Sequence, residues 1–354
     1  MPTLRAALTV SCALAMLTLL QREVTVLGQS GSDPFAFFQP AVTISVGDRQ
    51  RLDRGEVLVR VLPAREGQLA VFAASRLTAE PEALVKWTRA IEAMKKGPFV
   101  IAIRRFSDPP VRSDLDNLVL DDVDVESLRR CRRGECGVKL AEHEIQSVRM
   151  AAATAGADWK SAIQHEFRRV LFDRITRYRQ EGLAGLPPNV DHSEPTRSRD
   201  VFDALLQRSP YLLNQLPEVA DGLRRYPKAT LPSSESFLYW SKEHYGRGKP
   251  VITVTQVHIL RPGGPPRPMV LVLAQEVFAS HYRTGSLGLT AIVAGSDDAR
   301  YLVHLNRSRL DMLGGLFGGI ARSLIEGRLA NEAKPAMATV KGRLESGEPP
   351  REAP

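Results

Sequence analysis

The chain has 354 residues, 43% of them hydrophobic and 25% charged, which excludes wholesale disorder, a collagen-like repeat and a coiled coil. Three cysteines exclude a disulfide-dense miniature scaffold. The formal net charge of +8 comes from 38 arginines and 10 lysines against 40 acidic residues, and the arginines are spread along the chain with acids between them. That distribution reads as a solvated basic surface, so no nucleic-acid partner is expected.

The N-terminus reads as a secretory signal peptide over residues 1–28. Met1 to Arg5 is short and basic, Ala6 to Leu20 is an apolar run of 15 residues, and Val26 and Gly28 place small residues before a cut at Gln29. A membrane span needs about 20 apolar residues, and Arg22 and Glu23 end this run too early. The expectation is an exported bacterial protein, periplasmic or secreted.

From residue 29 to 140 the sequence predicts the first part of an α+β domain. Glu56 to Leu62 and Gln68 to Ala74 read as strands around a turn at Pro63 to Gly67. Thr78 reads as the N-cap of a helix with Pro81 and Glu82 in its first turn, ending before Gly97-Pro98. Phe99 to Ile103 and Leu118 to Leu120 read as strands, and Val123 to Cys131 as a short helix. Export leaves Cys131 and Cys136 as an even pair in Cys-Arg-Arg-Gly-Glu-Cys, which an oxidising compartment closes to a structural disulfide. The spacing is wrong for a redox dithiol or haem attachment, and zinc would need a second pair; neither metal nor cofactor is expected. So small a loop contributes about 2 kcal/mol in the chain-entropy model.

Residues 141–230 read as a helical insertion. Trp159 to Gln180 carries Ile163, Phe167, Val170, Leu171, Ile175 and Tyr178 at helical spacing, with arginines on the opposite side. That stripe is a core-packing face; a membrane-surface helix, giving peripheral membrane contact, is the sharper alternative. Val201 to Leu216 is also helical, broken at Pro210. Residues 231–333 turn strand-like, with hairpins at Pro250 to Leu260 with Met269 to Tyr282, and at Leu287 to Ala294 with Tyr301 to Asn306. A long apolar helix is expected at 312–331, and 334–354, with four prolines, reads as a flexible tail.

The segment Gly67-Gln-Leu-Ala-Val-Phe-Ala-Ala-Ser-Arg-Leu-Thr-Ala-Glu-Pro-Glu-Ala-Leu-Val-Lys86, with the strands and helix from Pro250 to Leu329, resembles the START-like, or helix-grip, superfamily. The resemblance implies a curved antiparallel sheet gripping a long C-terminal helix, with an apolar cavity beneath that helix. Gly314, Gly315, Gly318 and Gly319 fit it, because each glycine costs about 1 kcal/mol against alanine inside a helix and such a cost marks close packing or room for a ligand.

No Gly-x-Ser-x-Gly elbow, Ser-x-x-Lys pair, His-Glu-x-x-His helix or phosphate loop is present, so no catalytic residue is assigned. The acidic cluster Asp121, Asp122, Asp124 and Glu126 reads as a solvated turn. The denser polar set is C-terminal. Tyr239, Trp240, Gln256, His258, Glu276 and Tyr282, with Phe317 from the last helix, are the candidate ligand-binding residues that would orient an otherwise apolar guest. If their face looks outward, they are ordinary cross-strand pairs. The first reading is thus a protein that binds an apolar small molecule or lipid. The alternatives are a periplasmic hydrolase or cyclase pairing Glu276 with His258, and an envelope protein whose helical segment docks on a partner.

Overall fold

The computed structural model describes residues 33–349 apart from 66, 230, 232–233, 245–247 and 314–317, with backbone alone at 318–325 and 329–330. The expected signal peptide and the residues Gly314, Gly315 and Phe317 lie outside the described residues. In chain order the elements are α1 (Val46–Asp53), β1 (Leu58–Leu62), β2 (Gln68–Leu77), α2 (Pro81–Arg89), α3 (Ile91–Lys95) and β3 (Val100–Arg105). Six helices follow: α4 (Asp122–Arg130), α5 (Glu142–Thr154), α6 (Trp159–Glu181), α7 (Ser198–Gln207), α8 (Pro210–Gln215) and α9 (Pro217–Arg225). The chain closes with β4 (Glu235–Glu243), β5 (Val251–Leu260), β6 (Val270–Ala279), β7 (Arg283–Ala294), β8 (Arg300–Leu310) and α10 (Gly318–Glu345).

The strands form one eight-stranded sheet in the order β1-β2-β8-β7-β6-β5-β4-β3, antiparallel throughout. Register shifts at Val100/Ala102, Val254/Thr255 and Arg283/Gly285 insert extra residues, which bend strands and curve the sheet. The fold class is therefore the expected one, a curved antiparallel sheet with a long C-terminal helix packed on β1, β2 and α2. Helices α2 and α3 carry the chain from β2 to the far edge at β3. The segment between β3 and β4, which takes in the expected insertion and carries that label below, holds α4 to α9.

Both faces of the sheet are covered, and strand alternation sorts the side chains between two cores. On one face, Phe72, Trp240, Val254, Leu273, Phe278, Leu289 and Leu305 pack with Phe167, Leu171 and Ile175 of α6 and with Phe35 and Phe38 near the start of the described chain. On the other, Ala73, Phe237, Val257, Ile259, Val272, Ile292 and Leu302 pack with Leu84, Val85 and Trp87 of α2 and with Met337 and Leu344 of α10. Burial on both sides explains why β5 reads as an unbroken run, Val-Ile-Thr-Val-Thr-Gln-Val-His-Ile-Leu, with every residue buried.

Three local expectations are corrected. Leu118 to Leu120 is not a strand; Leu118 and Leu120 are buried in a loop clamped by Gln164, which accepts from the Leu120 N–H at 2.9 Å and donates to its carbonyl at 2.8 Å. The Cys131–Cys136 disulfide is formed, directly after α4. Residues from Lys334 do not fray: α10 runs 28 residues to Glu345, about 42 Å at the usual helical rise. Met337, Val340 and Leu344 give its last turns an apolar face against α2, despite Pro335. Glu345 accepts from the backbone N–H and hydroxyl of Thr78 at 2.9 and 2.8 Å, so Thr78 anchors the end of α10 instead of capping α2.

Leu344 is 1% exposed, and removing a fully buried leucine side chain costs about 2–5 kcal/mol. Leu344→Ala is therefore expected to lower the unfolding free energy in a urea titration by that order. An unchanged midpoint would mean that this segment does not pack.

Candidate functional site

The sheet registers define rungs that cross the face turned toward α2 and α10. One rung runs Ser75, Leu302, Ile292, Val270, and the next Ala73, His304, Thr290, Val272, Ile259. A third runs Val71, Asn306, Gly288, Ala274, Val257, Phe237, and beyond it Ser286 faces Ser308, and Glu276 faces Thr255 and then Tyr239. Leu302, Ile292 and Val270 are sealed beneath α2 and the last turns of α10. Moving along the strands toward the start of α10, the exposure changes. Val71, Ala274, Thr284, Ser286, Thr290, His304 and Asn306 are all half-buried, although they sit on central strands. The opposite face of the same strands shows no such opening at Leu273, Leu287, Leu289, Ala291, Val303 or Leu305. Among the described residues this face is therefore sealed at one end and partly accessible, as a recess, at the other.

The floor of this recess is polar and internally organised. Asn306 donates to Ser286 at 2.9 Å, Ser308 donates to the Asn306 side-chain oxygen at 2.7 Å, and the Ser286 and Ser308 hydroxyls lie 3.0 Å apart. Thr290 and His304 Nδ1 are 2.9 Å apart. His304 is walled in enough for burial, helped by the charge of Lys95, to push its pKa down to about 4. Glu276 meets Arg283 at 3.1 Å, yet its Oε1 has no hydrogen-bond partner among the described residues, and burial raises its pKa against the opposing charge of Arg283. At one side, Glu243 accepts from Ser241 at 2.5 Å and pairs with Lys95 at 2.6 Å, and the Lys95 ammonium lies 5.4 Å from the centre of the Tyr239 ring. Each carboxylate here has a cation, so the recess presents hydrogen-bonding groups with little net charge. Val71 and Ala274 supply its apolar surface, with Val257 and Tyr239 buried beside them.

The sheet divides the residues that the sequence groups together. Tyr239 and Glu276 lie on the recess face. Trp240, Gln256 and His258 alternate to the insertion face and cannot line a space under α10. Trp240 instead donates from Nε1 to the Asp114 carbonyl at 2.8 Å and pins the insertion. Tyr282 sits in the turn after β6 at φ +59°, where its hydroxyl accepts from the Lys249 N–H at 2.8 Å. The acid/base pairing of Glu276 with His258 is excluded by the same alternation. Ser286, Thr290, His304 and Asn306 are the recess residues that sequence reasoning passed over; the alternation of His304 and Asn306 against Val303 and Leu305 was the available signal.

The acidic cluster is a set of individual ion pairs. Asp124 is buried with His281 at 2.8 Å and Lys249 at 2.9 Å, Asp121 pairs with Lys242 at 2.5 Å, and Asp122 with Lys160 at 3.3 Å. Burial works against the Asp124 carboxylate, but the hydrogen bond from His281 and the neighbouring cations outweigh it and hold its pKa low. Among the described residues one group of metal-ligand types converges, Asp191, His192 and Asp311. The buried Lys139 ammonium already stands 2.8 Å from each of those two carboxylates, so the protein supplies the cation there itself.

No family model and no curated protein matches the sequence. Among solved structures, the crystal structure of human STARD10 is similar over 88% of this chain and 84% of that chain, at 9% identity and a TM-score of 0.28. At values this low, the reading of the present chain rests on its own residues and geometry.

His258, like His304, has its pKa lowered from 6.5 to about 4, by burial. Between those values the unfolded chain binds protons that the folded chain refuses, so stability is full above pH 6.5 and declines toward pH 4. Each histidine contributes on the order of 2 kcal/mol to that loss by pH 5. Melting temperature is expected to fall steadily between pH 7 and pH 4.5, and His304→Gln to flatten the slope. A pH-independent melting temperature across that window would show that the histidines are not buried neutral.

Proposed function

We propose that this chain binds a single largely apolar small molecule or lipid in the recess between the sheet and α10, with the polar part of the guest meeting Ser286, Asn306, His304 and Glu276. One observation carries the reading: half-buried side chains on the central strands of a sheet that is otherwise covered on both faces. The apolar rungs and rings beside them suit a hydrocarbon body, and a few convergent polar groups fix orientation, the usual division of labour in small-molecule sites. Near-neutral electrostatics favour a guest without strong net charge. Binding, transport or sequestration needs no catalytic group. We also infer export, supported by the apolar run Ala6 to Leu20 and the Cys131–Cys136 disulfide.

Ala274 is half-buried and opens onto the recess. Ala274→Phe is expected to occupy the space, reduce binding of a lipophilic fluorophore at least tenfold and leave the melting temperature equal or higher. A large loss of stability would mean that the face is packed solid, and unchanged binding would place the guest elsewhere. For export, N-terminal sequencing of the envelope fraction is expected to begin at Gln29; an intact Met1 on protein retained in the cytoplasm contradicts it.

A further inference from the structure

We propose that the seam between the sheet and the helical insertion contains a second, closed binding site, which takes a small neutral molecule able both to donate and to accept hydrogen bonds. It lies on the opposite face of the sheet from the α10 recess and does not rest on the reading of that recess.

Gln256 and Gln275 are directly opposed across β5 and β6, and His258 follows two residues on, on the same face. Their exposures are 2%, 1% and 2%. Among the described residues neither ring nitrogen of His258 has a hydrogen-bond partner, and nor does Gln275 Oε1. Gln256 makes a long 3.5 Å contact to the Val257 carbonyl. Helix α6 runs over this floor. Its Arg174 guanidinium lies 5.4 Å from the Phe278 ring, and Tyr178, one turn further, is 0% exposed with a hydroxyl that also lacks a partner among the described residues. Tyr226 forms the roof: its ring stacks on Tyr178 at 5.1 Å and stands 6.3 Å from the His258 ring. Gly182 makes that roof possible. It sits at φ +68°, and a Cβ there would come within 2.0 Å of the Tyr226 carbonyl oxygen. Tyr226 is itself half-buried, so the roof borders the outside.

A buried polar group without a partner is destabilising, and folded interiors hold few of them. Here His258, Gln275 and Tyr178 carry such atoms among the described residues, on three separate elements linked through Tyr226 and the β5–β6 register. The combination is complementary to a guest: Gln275 Oε1 and one imidazole nitrogen accept, while the other imidazole nitrogen and the Tyr178 hydroxyl donate. The Arg174 guanidinium has its charge met by Glu144 at 2.8 Å and also bonds Asn189 at 3.0 Å, so the pair brings no net charge, while its Nη1 has no partner among the described residues and is a further donor to a guest. Water is the smallest molecule with this chemistry; an uncharged alcohol or amide is the other source.

The test uses the full chain and the sign of a stability change. Tyr178→Phe removes one oxygen, and Gln275→Met replaces the amide at similar volume. If a guest bonds these groups, both variants lower the melting temperature, by about 2 °C or more. If the groups are bare in a dry core, both changes relieve an unsatisfied group and the melting temperature stays or rises, which overturns the proposal. The source is read in parallel. Magnetisation transfer from water to the His258 ring protons identifies water, and a small-molecule adduct in the native mass spectrum that Tyr178→Phe abolishes identifies an organic guest. A lowered melting temperature with neither signal also overturns it.

Discussion

A single antiparallel sheet covered on both faces is the constraint on which the rest of this structure depends. Antiparallel sheets commonly leave one face to water, so alternate residues can be polar without penalty. Here α6 and its neighbours occupy one face and α2 and α10 the other, so most polar side chains on the central strands are buried or half-buried. Such a group needs a partner, an accessible recess or a guest. The hydroxyl and amide bonds among Ser286, Asn306 and Ser308 are the first solution, and the opening above His304 and Thr290 is the second. The imidazole of His258, without a hydrogen-bond partner among the described residues, is the group for which the third is proposed.

The same constraint explains how the insertion is held. Hydrophobic contact between α6 and the sheet is non-directional, while buried ion pairs have defined geometry. Asp124 of α4 reaches His281 and Lys249, Asp121 reaches Lys242, and Trp240 reaches the Asp114 carbonyl. Lys139 ties Asp191 of the insertion to Asp311, just before α10. Within the insertion Arg174 makes a fork to both oxygens of Glu144, whose carboxylate is held low in pKa by that guanidinium in spite of burial. Such pairs gain little net stability once desolvation is counted, but losing one partner leaves a buried charge, so they favour one docking of the insertion over others. The depressed Asp124 and Glu144 contribute above the ordinary carboxylate range and lose that contribution as pH falls through their folded values, the same acid limb to which the histidines add.

Most of the fold was legible because its signals are local. Period-two runs marked the β5–β6 and β7–β8 hairpins, Pro81 with Glu82 marked α2, and the 3.6-residue stripe from Ile163 to Tyr178 marked α6. The tail was misjudged because Met337, Val340 and Leu344 form a thin stripe among small residues, and Pro335 outweighs them in any local reading. Leu118 to Leu120 failed because a short apolar run looks alike in a strand and in a buried loop. The candidate site was less legible for a geometric reason. Alternation tells which residues of one strand share a face, but not which face of β5 continues that of β6; the hairpin register, which opposes Gln256 to Gln275 and Thr255 to Glu276, sets that relation. Gln256, His258 and Glu276 therefore looked like one lining, and the sheet parts them.

The central claim is that the space between the start of α10 and the rungs from Thr290 to Glu276 is hollow enough to hold a guest. The most direct measurement is a crystal structure of the full chain purified without added detergent or lipid. The account expects elongated non-protein density over Ala274, Ser286 and His304, its polar end toward Glu276 or Asn306. Side chains of α10 filling that space and touching those residues would contradict it.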